Sequence, residues 1–280
     1  MGPPRLLVAL LVLALLALPV APAAAEGGEK PLWELGLMAG GGLLPDYPAA
    51  AQNHFQWLAL PYFAYRGKFL RSDKKGLLRG RFFKSDRVEL DVSLKGSFPA
   101  DSEDNTARRG MPDLDWLGEV GPRLQITLAK AARDAKVELE FPLRAVFSTD
   151  FSGLDSQGAV FAPELAYQHE RFLDFAEVKL SLSASYGTEK LAEYFYAVPA
   201  RYATASRAAY QAESGYMGSK LQLVMFKPLN RRWRLFAGLG ADFHQGSANE
   251  KSPLFRDKTT MSVGFGFIWN VLQSRTMVRE

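Results

Sequence analysis

Along residues 87–97, Val88, Leu90, Val92 and Leu94 fall on one face, and Glu89, Asp91, Ser93 and Lys95 on the other. Successive side chains of a strand point to opposite faces, so the segment predicts a ribbon with one apolar and one charged side. The alternation recurs. Trp33–Gly42 sets Trp33, Leu35, Leu37 and Ala39 against Glu34, Gly36 and Met38. Residues 117–128 set Val120, Leu124, Ile126 and Leu128 against Glu119, Arg123, Gln125 and Thr127. Residues 136–147 oppose an apolar row to Glu138, Glu140 and Arg144, and residues 176–187 oppose another to Glu177 and Lys179. Trp233–Phe243 and Thr259–Trp269 each carry a large apolar face against Arg234, Asp242, glycine and serine. Four further strands are predicted at Phe55–Tyr65, 68–72, Leu77–Phe83 and Met217–Phe226, the first with ambiguous parity. A weaker candidate covers 159–168. The total is about twelve antiparallel strands, and helical periodicity is almost absent.

Most segments have the length of roughly 9–11 residues that a tilted strand needs to cross a bilayer. Connections alternate between short (66–67, 84–87, 129–135, 169–175, 227–232) and long (43–54, 98–113, 148–158, 188–214, 244–258), with 73–76 the one short member of the second series. Short periplasmic turns and longer extracellular loops characterise outer-membrane barrels. Tyr62, Phe63, Tyr65, Trp116, Tyr186, Trp233, Phe243 and Trp269 lie near predicted strand ends, where aromatic girdles occur. The expected fold is all-β, a transmembrane antiparallel outer-membrane β-barrel. A soluble sandwich or lipocalin-like barrel shares the alternation but not the charged mid-strand face. Twelve strands give a backbone radius of roughly 12 Å. Glu89, Asp91, Glu119, Glu138, Glu140 and Glu177 are then expected to face Lys95, Arg123, Arg144, Lys179 and Arg234 in the lumen. Two readings stay open: a mutually paired, mostly plugged interior, or a narrow water-filled pore.

The N-terminus reads as an export signal: Arg5, the apolar run Leu6–Val20, and a small-residue cleavage site at Ala23-Ala24-Ala25. The expected division is a leader at 1–25 and a barrel at 26–280, in the outer membrane of a Gram-negative bacterium. The apolar run is short for a membrane-spanning helix. Loss of Arg5 lowers the formal charge from +4 to +3, a surplus too diffuse to suggest nucleic acid. The chain has no cysteine, which excludes disulfides, thiolate metal sites and thiol nucleophiles. Of the three histidines, His54 and His244 are placed in or near long loops and His169 in a short turn. His244 with Ser247 is the one nearby pair for a lipid-hydrolysing barrel, and polar loop residues account for it equally well. Asp101–Asn105 is acidic but lacks calcium-loop spacing, and Gly40-Gly41-Gly42 is no phosphate loop because neither Lys-Ser/Thr nor a helix follows. No cofactor or metal is expected.

Several motifs resemble the MipA/OmpV family of outer-membrane proteins: Leu44-Pro45-Asp46-Tyr47, Leu60-Pro61-Tyr62-Phe63-Ala64-Tyr65-Arg66-Gly67, Gly110-Met111-Pro112-Asp113-Leu114-Asp115 and Glu119-Val120-Gly121-Pro122. Leu143–Asp150, Tyr194–Val198, Tyr202-Ala203-Thr204, Gly215-Tyr216 and Ser252-Pro253-Leu254 continue the match along the chain. The resemblance implies a scaffold that brings a lytic transglycosylase together with a penicillin-binding murein synthase, or porin-like behaviour in other members. It implies no catalytic residues. One departure is that the chain runs on past Trp269 to Arg279-Glu280 instead of ending on an aromatic.

The loop 188–214 gathers Tyr194, Phe195, Tyr196, Tyr202 and Tyr210 with Pro199, Arg201 and Arg207, and predicts a short helix near Glu189–Phe195. It reads either as a self-packed lid over the barrel mouth or as a contact surface. Two functions follow: a non-enzymatic scaffold using short turns such as Ala129–Ala135 and Lys227–Arg232 or the termini, and a small porin-like channel for polar solutes. Expected partners are outer-membrane lipid and the two murein enzymes.

Overall fold

The computed structural model describes residues 29–66, 70–73, 76–132, 134–173 and 175–279, so the expected leader lies outside the described residues. The strands are β1 (Glu29–Pro31), β2 (Trp33–Pro45), β3 (Asn53–Arg66), β4 (Leu70–Asp73), β5 (Gly76–Lys84), β6 (Val88–Ser97), β7 (Trp116–Ala132) and β8 (Ala135–Thr149). They continue as β9 (Asp155–Phe161), β10 (Glu164–Phe172), β11 (Ala176–Gly187), β12 (Gly215–Pro228), β13 (Trp233–Phe243), β14 (Thr259–Gln273) and β15 (Met277–Arg279). One helix, α1 (Glu189–Tyr196), lies between β11 and β12.

Except for β9 and β10, each strand from β2 to β14 pairs antiparallel with its neighbour in sequence, and β14 pairs back onto β2, which closes the sheet into a barrel. The sheet has thirteen segments, of which β9 and β10 are one broken strand. β8 pairs with β10 along Ala135–Glu140 and with β9 from Leu143 to Ser148. The break falls at Ala162-Pro163, because proline has no N–H to give the ladder. The connection is kept by Ala162 N–H donating to the Pro142 carbonyl and Ala184 N–H to the Pro163 carbonyl, both at 3.1 Å. Twelve strands therefore form the ring among the described residues, as the alternation predicts. The weak candidate 159–168 is this broken strand.

The burial pattern is inverted relative to a water-soluble protein. Asp91, Glu119, Arg123, Glu140 and Arg144 are buried inside, while Leu37, Trp57, Phe63, Leu180, Leu182 and Phe265 are exposed outside. An outward apolar band around a polar interior is how a closed sheet sits in lipid with every central backbone group paired. Register with β2 settles the parity of β3: His54, Gln56, Leu58, Leu60, Tyr62 and Ala64 point inward. Tyr62 therefore does not belong to an outer girdle; it is buried beside Ala64 and Ile268. Near the short-turn end, Trp233 stacks on Trp269 at 5.5 Å and Phe63 on Tyr65 at 6.5 Å, both on the outside. His169 lies within β10, opposite Val178, and not in a turn. The connection expected at 148–158 shrinks to 150–154 because β8 and β9 extend into it.

β1 and β15 pair with each other as a separate two-stranded ribbon at the short-turn end. The molecule's main apolar core is at the opposite end. Tyr47, Leu114, Leu117, Val146, Leu191, Phe195, Tyr196, Val198, Met217 and Leu254 pack there, drawn from the long loops, α1 and the upper strands.

Candidate functional site: a lidded ionic lumen

The inward face from β6 round to β11 carries a connected ionic network. Alternation puts Asp91, Arg123 and Glu140 on the inside of adjacent strands, and register brings them level: Asp91 lies opposite Arg123, and Gln125 opposite Glu140. Arg123 grips Asp91 with two bonds, Nε to Oδ1 at 3.0 Å and Nη2 to Oδ2 at 2.8 Å, and donates Nη1 to Glu140 Oε2 at 2.9 Å. Gln125 Nε2 donates to Asp91 Oδ2 at 2.9 Å. Lys179 reaches Glu140 at 3.2 Å and Glu164 at 2.6 Å. One turn higher, Arg144 Nε donates to Glu119 at 2.7 Å and Nη1 to Ser93 Oγ at 3.4 Å, while Lys95 stands 3.7 Å from Glu119. Glu138 takes Lys136 at 2.7 Å. Charges removed from water are tolerated here because each has a partner in good geometry. These pairs run along the wall, within one strand, between adjacent strands or across one intervening strand, and not across the bore.

The other expected lumen charges are placed as follows. Glu89 lies opposite Gln125 and shares the inward face of Asp91. Glu177 shares the inward face of Lys179, level with Phe226. Arg234 stands apart: its guanidinium donates to the Tyr62 hydroxyl at 3.0 Å and lies over that ring. Sequence reasoning missed Glu164, and missed Lys220 with Asp242, which pair at 3.0 Å. The signal was present in β12, where Leu221, Leu223 and Met225 alternate with Lys220 and Gln222.

From β12 round to β3 the inward face is different. Gly36, Gly40 and Gly42 of β2 lie level with Asn270, Gly266 and Gly264 of β14. The Phe236 ring lies across this flat strip: a Cβ on Gly266 would come within 2.4 Å of Phe236 Cζ and 2.3 Å of the Ala39 carbonyl. Only glycine allows backbone and ring to approach so closely. Between the two walls is a cavity of about 600 Å³. Glu119, Arg123, Glu140, Arg144 and Lys179 line it on one side, and Gln56, Lys220, Asp242, Thr260 and Ser262 on the other. Its roof is apolar: Leu114, Leu117, Leu191, Phe195 and Met217.

The roof is a folded lid. In α1, Leu191, Ala192, Phe195 and Tyr196 are buried; Tyr194 donates its hydroxyl to the Asp115 carbonyl at 3.4 Å and accepts the Asp115 N–H at 2.7 Å. Two arginines tie the loops together through carbonyls. Arg207 binds those of Ala107 (2.9 Å), Arg109 (3.0 Å) and Tyr202 (2.9 Å). Arg108 binds the Pro112 carbonyl at 3.0 Å and lies over the Tyr47 ring. Tyr210 pairs with Val198 and reaches Asn249 at 3.3 Å. Arg201 remains exposed, its guanidinium over Tyr202. Burial pushes the Tyr47 and Tyr194 phenols up to about 12 each, and raises Tyr196 as well. Burial also pulls Arg108 below its usual range.

His244 is a lid strut: Nδ1 lies 3.1 Å from the Met217 carbonyl, while Nε2 accepts the Ala49 N–H at 3.1 Å. Neither ring nitrogen is bonded to Ser247, whose backbone N–H instead donates to the His244 carbonyl. His54 lies 2.6 Å from Asp46, which also takes Asn105 at 2.6 Å. The Asp101–Asn105 stretch is built into the lid, with Ser102 and Asn105 buried and Ser102 N–H donating to Asp113. Among the described residues, no group of His, Asp and Glu is arranged to hold a metal.

In comparisons with known proteins, the family model described as "MltA-interacting protein MipA" matches residues 37–271. No curated protein matches. Among solved structures, the COG4313 outer membrane channel from Pseudomonas putida F1 is similar over 90% of this chain and 99% of its own, at 11% identity and a TM-score of 0.46. Outer membrane phospholipase A from Escherichia coli is similar over 88% and 100%, at 10% identity and 0.37. The outer membrane channel DcaP of Acinetobacter baumannii is similar over 90% and 99%, at 9% identity and 0.34.

Proposed function

The chain belongs to the MltA-interacting protein MipA family, and from that premise we propose that this outer-membrane β-barrel is a non-enzymatic scaffold for murein-remodelling enzymes. Its partners on this reading are a lytic transglycosylase of the MltA type and a penicillin-binding murein synthase. The observation that carries the reading is the ribbon at the short-turn end. β1 and β15 bring both ends of the described chain together there. Leu32 N–H donates to the Thr276 carbonyl and Ser274 N–H to the Trp33 carbonyl, both at 2.8 Å, which ties the ribbon to the barrel rim. Exposed Arg231 and Arg232 lie at the same end on the turn between β12 and β13, and exposed Lys130 lies at that end in β7, five strands round from β2. A periplasmic partner meets this face, while the lid occupies the other end. Folded protein purified in detergent is expected to retain the transglycosylase in a pull-down, and an Arg231→Glu/Arg232→Glu variant to retain less. No retention by a barrel shown to be folded would remove the scaffold reading.

A second reading, a small channel for polar solutes, is favoured by the cavity of about 600 Å³ and its charged lining. Planar-bilayer recording tests it. Conductance steps that grow when the lid is loosened support a channel; a flat trace in both states excludes one.

A further inference from the structure

Below the lid, the ionic side chains that line the cavity are matched to one another among the described residues. Arg144 and Lys95 hold Glu119, Arg123 and Lys179 hold Glu140, Lys179 also holds Glu164, and Lys220 holds Asp242. A charged ligand would have to break one of these pairs and leave a member without its partner, which is costly for groups held out of water.

The uncharged polar side chains are in the opposite condition. Ser183 and Ser185 of β11, Gln222 of β12 and Ser262 of β14 line the same cavity, and their side chains make no hydrogen bond within the protein among the described residues. Register gathers them on one arc of the wall. Gln222 lies opposite Gly240, and Gly240 opposite Ser262; Ser183 lies opposite Lys220 in the next inward row. Gly240 keeps the arc open. A Cβ there would come within 2.4 Å of Ser262 Oγ and 3.1 Å of Lys220 Cε, so the missing side chain lets both lie back against the backbone. The roof presents a different surface to the same space, the carbon of Leu191, Phe195 and Met217.

We propose that this cavity binds a short, uncharged saccharide. Its hydroxyls bond the Gln222 amide and the hydroxyls of Ser183, Ser185 and Ser262, while the C–H face of a sugar ring lies under Leu191 and Phe195. A sugar carries many groups that both donate and accept, as this arc does, together with apolar ring faces that suit the roof. The volume of about 600 Å³ lies within the roughly 300–1,000 Å³ of small-molecule sites and has room for a disaccharide. Selectivity comes from the polar groups that a ligand without hydroxyls would leave unbonded. The inference deepens the channel reading, on whose cavity it rests. Binding and conduction are measured separately, so either can fail alone.

Isothermal titration calorimetry on the full barrel in sugar-free detergent micelles reads the binding. The probes are maltose, cellobiose and trehalose as neutral disaccharides, digalacturonate as an anion, glucosamine as a cation and glycylglycine as a zwitterion. A saturable heat is expected with at least one neutral disaccharide, with an affinity unchanged when salt is raised about tenfold, because no ligand charge is there to be screened. Gln222→Leu should weaken that binding about tenfold, and Ser262→Ala by less. Leu182→Ala, on the outer face of β11, should leave it unchanged. No saturable heat from any neutral disaccharide would overturn the proposal. Tighter binding of a charged or zwitterionic probe, a steep salt dependence, or an unchanged affinity in a folded Gln222→Leu variant would do the same. Heat-modifiable gel migration confirms folding of each variant. If Gln222→Leu does not fold, the probe series on the unaltered barrel and the Ser262→Ala variant still decide. Planar-bilayer current then separates the two readings: saturable heat without conductance keeps the site and removes the channel, and conductance without heat does the reverse.

Discussion

From β6 round to β11 the lumen wall is held by charge, and from β12 round to β3 it is held by backbone fit. The first wall has an interrupted ladder: Pro122, Pro142 and Pro163 fall on three adjacent strands, and the strand at Pro163 is broken. Arg123 and Arg144 bridge the same region through side chains. The second wall has long uninterrupted registers, Ser219–Pro228 against β13 and Trp33–Pro45 against β3. There the inward face of β2 and β14 carries Gly40, Gly42, Gly264 and Gly266 beside Phe236, and Lys220 pairs with Asp242 between β12 and β13. The contrast teaches that a closed sheet can be completed either by side chains that replace lost ladder bonds or by a ladder so regular that side chains are dispensable.

The sharpest way to break this comparison is Arg123→Met. It leaves Asp91 and Glu140 buried without their main partner, a loss of about 3–5 kcal/mol. The temperature at which the folded, faster-migrating gel band disappears should fall markedly. The triple change Asp91→Asn/Arg123→Met/Glu140→Gln should recover most of the loss, because what costs stability is the orphaned charge. A single variant as mild as the triple would mean that the ions do not hold this wall.

Next in size is Arg207→Ala, which tests whether the lid depends on either wall. Loss of a charged donor's hydrogen bonding costs about 1.5–3 kcal/mol, here confined to the loops. Limited proteolysis should then cut within 199–206 while the barrel band keeps its transition temperature. Simultaneous loss of both would show one cooperative unit.

Gly266→Ala probes the second wall. The added methyl meets the Ala39 carbonyl and the Phe236 ring, and overpacking of this kind costs about 1–3 kcal/mol. Phe236→Ala should not rescue it fully, since the carbonyl contact stays. Full rescue would assign the strain to the ring alone.

The smallest effect is alkaline. Tyr47 and Tyr194 have phenols raised from 10 to about 12 in the folded lid. A raised pKa means the folded state holds the proton more tightly, so this stabilisation is complete below pH 10 and lost as pH climbs from 10 to 12. Tyrosinate absorbance should show a late-titrating fraction, and lid proteolysis should accelerate over the same range. Arg207→Ala should move that fraction toward pH 10. Uniform titration near 10 would show the lid open in solution.

Much of this was legible in the chain because a strand's two faces are written at alternate positions. Val88 to Lys95 named both the lipid side and the lumen side, and the same rule placed Glu119, Arg123 and Arg144 inside. It failed where polarity is mixed. Tyr62 looks like a girdle residue because it follows Pro61 near a strand end, but register with Gly36 turns it inward, where Arg234 meets its hydroxyl. Asp242 was placed on a polar face but Lys220 was not, and only cross-strand register makes them a pair.

The sequence by itself determined the barrel, a count of about twelve strands, which face of most of them meets lipid and which end carries the long loops, since a period of two and the spacing of turns are local properties. Tertiary structure alone decided which charges meet, that glycines 40 and 266 admit Phe236, and that loops distant in sequence fold into a lid. Those outcomes depend on register and closure, which fix distances between residues that no local pattern relates.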